Sequence, residues 1–187
     1  MLKGLITAAL IAAPIAGIAG SIIGQASIGD GDTFTIQTVK IRLHGVDAPE
    51  SNQPCYENGK AWKCGQKAAF ALDEHLAGKH LKCWPKGQSY DRLVAQCWVV
   101  ETGEDVAEWL ALNGWAVAAP KYSKAYLPAE AKAKDAKAGI WNSEFELPWI
   151  WRKQQKAQEP DYHMTPKLNL STDCLLYTSP SPRDATL

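Results

Sequence analysis

The sequence predicts an α+β fold, because five short strand-like runs are interrupted by one helical run and followed by two more. Alternating βαβ units would place a helix after every strand, which is not the order seen here. Strands this short also suit a small Greek-key barrel of the OB type. The prediction is therefore a five-stranded OB-type β-barrel with three α-helices.

The predicted strands are rich in β-branched and aromatic residues and end at turn residues. They cover residues 21–28, 33–38, 39–44, 80–84 and 93–100. A Gly-Asp-Gly turn at residues 29–31 separates the first two strands. Residues 47–63 are rich in Pro, Asn and Gly, so this stretch is predicted to be a loop.

Helical periodicity marks three segments that each stop at a glycine. They cover residues 65–77, 106–113 and 128–138. In the first of them Ala68, Leu72 and Leu76 recur at every fourth position, which predicts one apolar face directed at the core. Aromatic residues between positions 141 and 151 follow the last helix and are expected to cover the core.

Composition and charge exclude several classes of protein. The 187 residues are 46% hydrophobic and 21% charged, which is typical of one globular domain and excludes collagen, a coiled coil or an acidic disordered chain. Twenty Lys and Arg residues balance twenty Asp and Glu residues, so the formal net charge is zero. A wholly basic nucleic-acid coat protein is excluded, and a polyanion would have to be bound by a local site.

Both ends of the chain differ from the domain between them. Residues 1–20 hold one Lys followed by an apolar run and small residues, which is the pattern of a secretory signal peptide, with an N-terminal membrane anchor as the alternative. Residues 153–173 are polar and predict a flexible tail. Residues 174–187 resemble a translated sequencing adapter and are interpreted as an artefact, the alternative being a genuine Ser/Pro-rich tail. The predicted domain covers residues 21–152.

Four cysteines lie inside the predicted domain. An even number behind a secretory leader favours disulfides. Cys83 and Cys97 lie on two apolar runs that could pair as a hairpin, and Cys55 and Cys64 would close a short loop. We therefore predict the pairs 55–64 and 83–97. A zinc site is the weaker alternative, because no Cys-x-x-Cys or Cys/His spacing is present.

Acidic residues cluster in two turns, at residues 30–33 and 47–50. If a barrel brings these turns together, Asp32, Asp47 and Glu50 would converge near Arg42. Carboxylates with a backbone carbonyl suit a hard divalent cation, so the residues predict Ca2+, with Mg2+ second. Taken alone, Asp-Gly-Asp is also ordinary turn chemistry.

Three longer motifs favour the cation site over ordinary turn chemistry. They are Gly-Asp-Gly-Asp-Thr-Phe (residues 29–34), Ile-Arg-Leu-His-Gly-Val-Asp-Ala-Pro-Glu (residues 41–50) and Tyr-Asp-Arg-Leu-Val-Ala (residues 90–95). Together they resemble the staphylococcal-nuclease-like (thermonuclease) family. Gly-Gln-Lys-Ala, Gly-Trp-Ala, Gly-Ile-Trp and Pro-Trp-Ile-Trp-Arg extend the resemblance over residues 21–152.

The resemblance implies roles for individual residues. Asp32 and Asp47 would hold calcium through carboxylates, and the carbonyl of Ala48 would add a ligand. Glu50 would orient or deprotonate the attacking water. Arg42 and Arg92 would bind the scissile phosphate. Members of the family cut DNA and RNA and leave 3′-phosphate ends.

Two tyrosines are candidates for substrate binding, and one position departs from the family. Tyr90 and Tyr122 could stack on a nucleotide, with packing at the core or rim as the alternative.

Many members have Gly where this chain has Asp91. The change removes backbone freedom, and it puts a negative charge beside Arg92.

The leading hypothesis is a secreted or periplasmic, calcium-dependent endonuclease of low sequence specificity. It would act as a monomer with no obligate protein partner, and it would meet a membrane only if the leader stays uncleaved. One alternative is a non-catalytic OB-fold module that binds single-stranded nucleic acid. Another is a disulfide-stapled envelope protein that binds calcium only structurally. The retention of both arginines and all three acids favours the enzyme.

Overall fold

A computed structural model describes residues 20–158, which contain ten strands and four α-helices. The strands are β1 (Ile22–Gly24), β2 (Ala26–Asp30), β3 (Thr33–Ile36), β4 (Val39–Leu43), β5 (Val46–Asp47), β6 (Pro54–Glu57), β7 (Lys60–Lys63), β8 (Leu81–Ser89), β9 (Arg92–Val99) and β10 (Val117–Ala118). The helices are α1 (Cys64–Leu76), α2 (Val106–Leu112), α3 (Leu127–Asp135) and α4 (Pro148–Gln158), and a 3-10 helix covers Gly139–Asn142.

A bent first strand joins the two edges of the main sheet. The sheet has the order β1-β8-β9-β4-β3-β2, with β4 and β9 parallel and the other pairs antiparallel. Only Gln25 separates β1 from β2, so one continuous strand pairs with β8 at its start and with β3 at its end. This pairing brings five strands into a ring. The predicted α+β fold with an OB-type barrel is confirmed.

The core lies inside this barrel and under the first two helices. Phe34, Ile41 and Leu43 alternate with more exposed neighbours along β3 and β4, as strands with one buried face require. The apolar face predicted for the first helix is buried, with Leu72 fully so. Burying one such side chain contributes roughly 1.5–3 kcal/mol to folding. The core thereby fixes the strand ends on which the acidic turns lie.

The prediction of a loop over residues 47–63 holds for residues 48–53 but was wrong for the second half of the stretch. This stretch contains the hairpin β6–β7, whose turn is Asn58-Gly59 with φ angles of 50° and 75°. Asn-Gly is the preferred pair for a two-residue hairpin turn, because both positions need a positive φ. The hairpin also exchanges two backbone hydrogen bonds of 2.8 Å between Tyr56 and Glu144. It is therefore tied to the segment that leads into α4.

A fourth helix replaces part of the predicted aromatic cluster and tail. Helix α4 begins at Pro148, where a missing N–H does no harm in the first turn. It continues past Arg152 to Gln158, so the first six residues of the predicted flexible tail are helical. The rest of that tail, the predicted leader up to residue 19 and residues 174–187 lie outside the described residues. Within residues 20–158, no helix is long and apolar enough to cross a membrane.

Both predicted disulfides are present. Cys55–Cys64 ties β6 to the start of α1, and Cys83–Cys97 joins directly opposite positions of β8 and β9. All four residues are fully buried. Two buried disulfides fit an oxidising compartment outside the cytoplasm.

The Cys83→Ala/Cys97→Ala variant should be less stable than the wild type. The bond closes a loop with a sequence separation of 14 residues, for which the chain-entropy account gives about 3 kcal/mol. The free energy of unfolding should be measured in urea without reductant. A reductant should then lower the stability of this variant further through Cys55–Cys64. An unchanged urea midpoint in the variant would contradict a stabilising role for the bond.

Candidate active site

The barrel brings the two acidic turns to one edge. The register of β3 and β4 pairs Thr33 with Arg42, which places Arg42 beside the turn that carries Asp32. The backbone N–H of Leu43 donates to the carbonyl of Asp32 at 2.9 Å and holds that turn against β4. Asp47 lies in β5, four residues after β4 ends. These short connections bring the two aspartates within reach of one arginine.

Arg42 bridges the two aspartates. Its Nη2 donates to Oδ1 of Asp47 at 2.6 Å and to Oδ2 of Asp32 at 2.9 Å. The backbone N–H of Ala48 and the hydroxyl of Thr33 also donate to Asp32, at 3.2 and 2.8 Å. Asp32 and Asp47 are only 4% and 5% exposed. Buried carboxylates need such partners, since an unpaired charge is costly to remove from water.

Burial dominates the protonation of Asp32. It raises the pKa of this carboxyl from the ordinary 3.8 to about 6, against the lowering effect of Arg42; the nearby Asp47 charge adds to the rise. The carboxylate of Asp32 is therefore unfavourably charged at neutral pH unless a cation lies beside it. A bound cation would relieve this penalty.

The Asp32→Asn variant should show this penalty as a pH-dependent gain in stability without metal. A carboxyl whose pKa is higher in the folded state stabilises the fold only while protonated, so this contribution is lost as pH rises from 3.8 to about 6. Asparagine does not titrate. The free energy of unfolding should be measured with a chelator present. The difference between the variant and the wild type should shift in favour of the variant by up to about 3 kcal/mol as pH rises from 4 to 7. A difference that is independent of pH would contradict this account.

Glu50 is connected to Asp47 through Arg152, a residue that was not predicted as part of the site. It does not contact Arg42 among the described hydrogen bonds and ion pairs; instead, Arg152 of α4 links it to Asp47. Nη1 of Arg152 donates to Oε1 of Glu50 at 2.6 Å and to Oδ1 of Asp47 at 3.0 Å. Nη2 donates to Oδ2 of Asp47 at 2.6 Å. The Pro-Trp-Ile-Trp-Arg motif was the signal that could have found Arg152.

Arg92 lies at the start of β9, beside the strand that carries Arg42. The parallel register pairs Arg42 with Val94, and Arg92 lies two residues before Val94. Because side chains alternate along a strand, Arg92 and Arg42 are on the same face of the sheet. Within residues 20–158, no carboxylate lies within 4.0 Å of the Arg92 guanidinium. Its donors are therefore available to an anionic ligand.

The departure at Asp91 has a small structural effect. Asp91 forms an exposed ion pair with Lys40 at 3.6 Å, so its charge is directed to a lysine and not to Arg92. The positive φ of this turn, 56°, falls on Tyr90, and Asp91 has a negative φ. We expected Asp91, in place of Gly, to restrict the backbone of this turn. That expectation was wrong, because glycine is needed only where φ is positive.

The two candidate tyrosines are on the surface and are not part of the core. Tyr90 is 87% exposed and Tyr122 is 67% exposed. The Nζ of Lys121 lies 5.7 Å from the ring centroid of Tyr122. An exposed ring next to a cation is free to stack on a base while the cation meets the adjacent phosphate.

The oxygen donors of the acidic site suit a hard cation. In residues 20–158 no group of three or more His, Cys, Asp or Glu side chains is arranged to hold a metal ion. Two carboxylates nevertheless approach one point, the position of Arg42 Nη2, and the backbone of Ala48 adjoins them. Three acids face the two arginines of this cluster, which leaves one negative charge unbalanced. The chemistry of the donors fits a hard divalent cation, whose remaining ligands would be water.

Comparisons with known proteins agree with the geometry. The family described as "Staphylococcal nuclease homologue" matches residues 40–143. The succinoglycan biosynthesis protein ExoI of Rhizobium meliloti is 41% identical over 145 residues, covering 75% of both chains. An uncharacterized endonuclease of Haemophilus influenzae is 29% identical, covering 74% of this chain and 78% of its own. The probable endonuclease LCL3 of Komagataella phaffii is 31% identical, covering 58% of this chain and 51% of its own.

Proposed function

Because the chain belongs to the family of staphylococcal nuclease homologues and is a nuclease, we propose that it is an extracytoplasmic, calcium-dependent endonuclease of low sequence specificity. It would cut both DNA and RNA and leave 3′-phosphate ends. The observation that carries the proposal is the cluster in which Arg42 joins the buried Asp32 and Asp47 while Glu50 lies beside them. This arrangement combines a cation site, a proton acceptor and phosphate-binding cations.

The metal would be held by three oxygen donors. Asp32 and Asp47 would supply carboxylates, and Ala48 would supply its carbonyl. When bound, calcium would neutralise charge on the phosphate and help to place water. The raised pKa of Asp32 supports this assignment, because a buried carboxylate gains most from a nearby cation.

Glu50 and the arginines would carry the rest of the reaction. Glu50 accepts a proton as the oxygen of water forms its bond to phosphorus. The bond between phosphorus and the 5′ oxygen breaks, and the 5′ oxygen leaves and takes up a proton. Arg42 and Arg92 donate to the phosphate oxygens, on which negative charge grows in the transition state. Guanidinium groups suit this task, because they stay charged and can bind two oxygens at once.

Two exposed tyrosines and the charge balance of the chain favour weak, sequence-tolerant binding of substrate. Tyr90 and Tyr122 would stack on bases, which every base permits. The formal net charge of zero disfavours tight nonspecific binding of a polyanion, and weaker binding suits turnover. The two buried disulfides support a secreted or periplasmic location, and the enzyme would act as a monomer.

A digestion assay with the purified chain tests the proposal. Single-stranded DNA, duplex DNA and RNA should each be incubated with calcium, with magnesium, and with a calcium chelator. We expect cutting of all three substrates with calcium, weaker cutting with magnesium and none with the chelator. Cutting that persists in the chelator would contradict calcium dependence. Binding without cutting would instead indicate the non-catalytic OB-fold module.

A further inference from the structure

The contacts of Arg152 go beyond what a surface ion pair requires. Its guanidinium forks onto both oxygens of Asp47, and Nη1 at the same time donates to Glu50. Hydrogen bonds between a guanidinium and a carboxylate are strong and directional, because the planar fork matches the two oxygens. The result is a fixed distance between the carboxylates of Asp47 and Glu50, set by a side chain from the last helix.

We infer that Arg152 is a positioning residue that holds the carboxylate of Glu50 beside Asp47, an inference that rests on the proposed hydrolysis. Glu50 lies in a loop and its side chain is 28% exposed, so nothing in its own backbone fixes where its carboxylate points. Catalytic groups must be held close to their productive geometry, since a small displacement lowers the reaction rate strongly. Arg152 supplies that restraint.

The main chain of Glu50 is fixed separately, by the fully buried Gln53. The backbone N–H of Glu50 donates to Oε1 of Gln53 at 3.3 Å, and Nε2 of Gln53 donates to the carbonyl of Glu146 at 2.6 Å. Gln53 thus joins the loop to the start of α4 without Arg152. Removal of the Arg152 side chain should therefore free the Glu50 carboxylate while leaving the loop and the helix in place.

Arg152 also differs from the arginines assigned to the phosphate. Both of its terminal nitrogens are engaged with carboxylates, whereas Arg42 is engaged through Nη2 alone and Arg92 has no carboxylate within 4.0 Å in the described part of the chain. The fork of Arg152 is therefore not available to substrate in the way that the fork of Arg92 is. Asp47 is also bound by Arg42, whereas the carboxylate of Glu50 has no other partner among the described hydrogen bonds and ion pairs, so the effect of Arg152 on the reaction should pass through Glu50.

Steady-state kinetics separate these roles. We expect Arg152→Gln to lower kcat by about 10–100-fold, the usual loss when a supporting partner of a site is removed, with KM nearly unchanged. Arg152→Lys should fall between this variant and the wild type, because one ammonium can hold one carboxylate but not the fork. Lys153→Gln removes an exposed charge from the next position of the same helix and should behave as the wild type.

A double-mutant cycle and a binding measurement complete the test. In a Glu50→Gln background, Arg152→Gln should lower kcat by no more than about twofold, because the group that it positions is already inactive. Calcium binding without nucleic acid, measured by calorimetry, should change little in Arg152→Gln, since the three proposed donors, Asp32, Asp47 and the carbonyl of Ala48, are all retained.

Several results would overturn the inference. They are an unchanged kcat, a raised KM with kcat retained, a full loss in the Glu50→Gln background, and calcium affinity that falls in proportion to kcat. A wild-type chain that fails to cut would instead overturn the proposed function, and the inference with it.

Discussion

Replacing Glu50 with glutamine should lower kcat by about 10²–10⁴, the range that a positioned general base contributes. Glutamine keeps the size of glutamate, and its Oε1 can still accept from Arg152 as the carboxylate does at 2.6 Å. It cannot accept a proton from water. The fold and the calcium affinity should therefore stay close to those of the wild type while turnover is lost.

The rate of digestion should be measured at saturating substrate, together with thermal unfolding and calcium binding. Glu74→Gln is the matched control, because it makes the same change on the exposed face of α1 and should retain full activity. A Glu50→Gln variant that turns over at the wild-type rate would remove Glu50 from the reaction.

Replacing Arg42 with lysine should lower kcat/KM by about 10²–10³, the range seen when one preorganised donor to a developing charge is lost. Lysine keeps a positive charge between Asp32 and Asp47 but has no planar fork for the phosphate. Alanine is a poorer choice, because it would leave the carboxylate of Asp32, which is 4% exposed, without its cation, while Asp47 would keep Arg152. Breaking a buried pair in this way costs about 3–5 kcal/mol, a large share of the 5–15 kcal/mol that holds a typical domain together.

Arg42→Lys should be compared with Lys40→Arg, which makes the reverse change in the same strand at a half-exposed side chain paired only with Asp91 among the described ion pairs. Digestion rates and urea unfolding should be measured for both variants. Lys40→Arg should match the wild type in both. If Arg42→Lys keeps nearly full activity, a point charge is sufficient there and the bidentate role of Arg42 is wrong.

The barrel was predictable because its signals are local. Short apolar runs separated by Gly and Asp turns fixed the strands, and the spacing of Ala68, Leu72 and Leu76 fixed the buried face of α1. The cysteine pairs were predictable for the same reason, since each closes a short segment. The acidic turns could be expected to meet because only one hairpin, made of the two short strands β3 and β4, separates them.

The elements that were missed depend on distant contacts. The hairpin β6–β7 is supported by Cys55–Cys64 and by backbone pairing of Tyr56 with Glu144, and its Asn-Gly turn was the one local sign. The contact between Arg152 and Asp47 joins residues 105 positions apart. No periodicity or composition relates such residues. Only the motif around Arg152 pointed to a role for the end of the domain.

The most direct test of the central claim is to identify the bond that is cut and the source of the new oxygen. A defined oligonucleotide should be digested in water labelled with heavy oxygen, with calcium present, and the products weighed by mass spectrometry. The proposed reaction predicts labelled 3′-phosphate ends and unlabelled 5′-hydroxyl ends. Products with 5′-phosphate ends, or no products from an intact and calcium-bound chain, would contradict it.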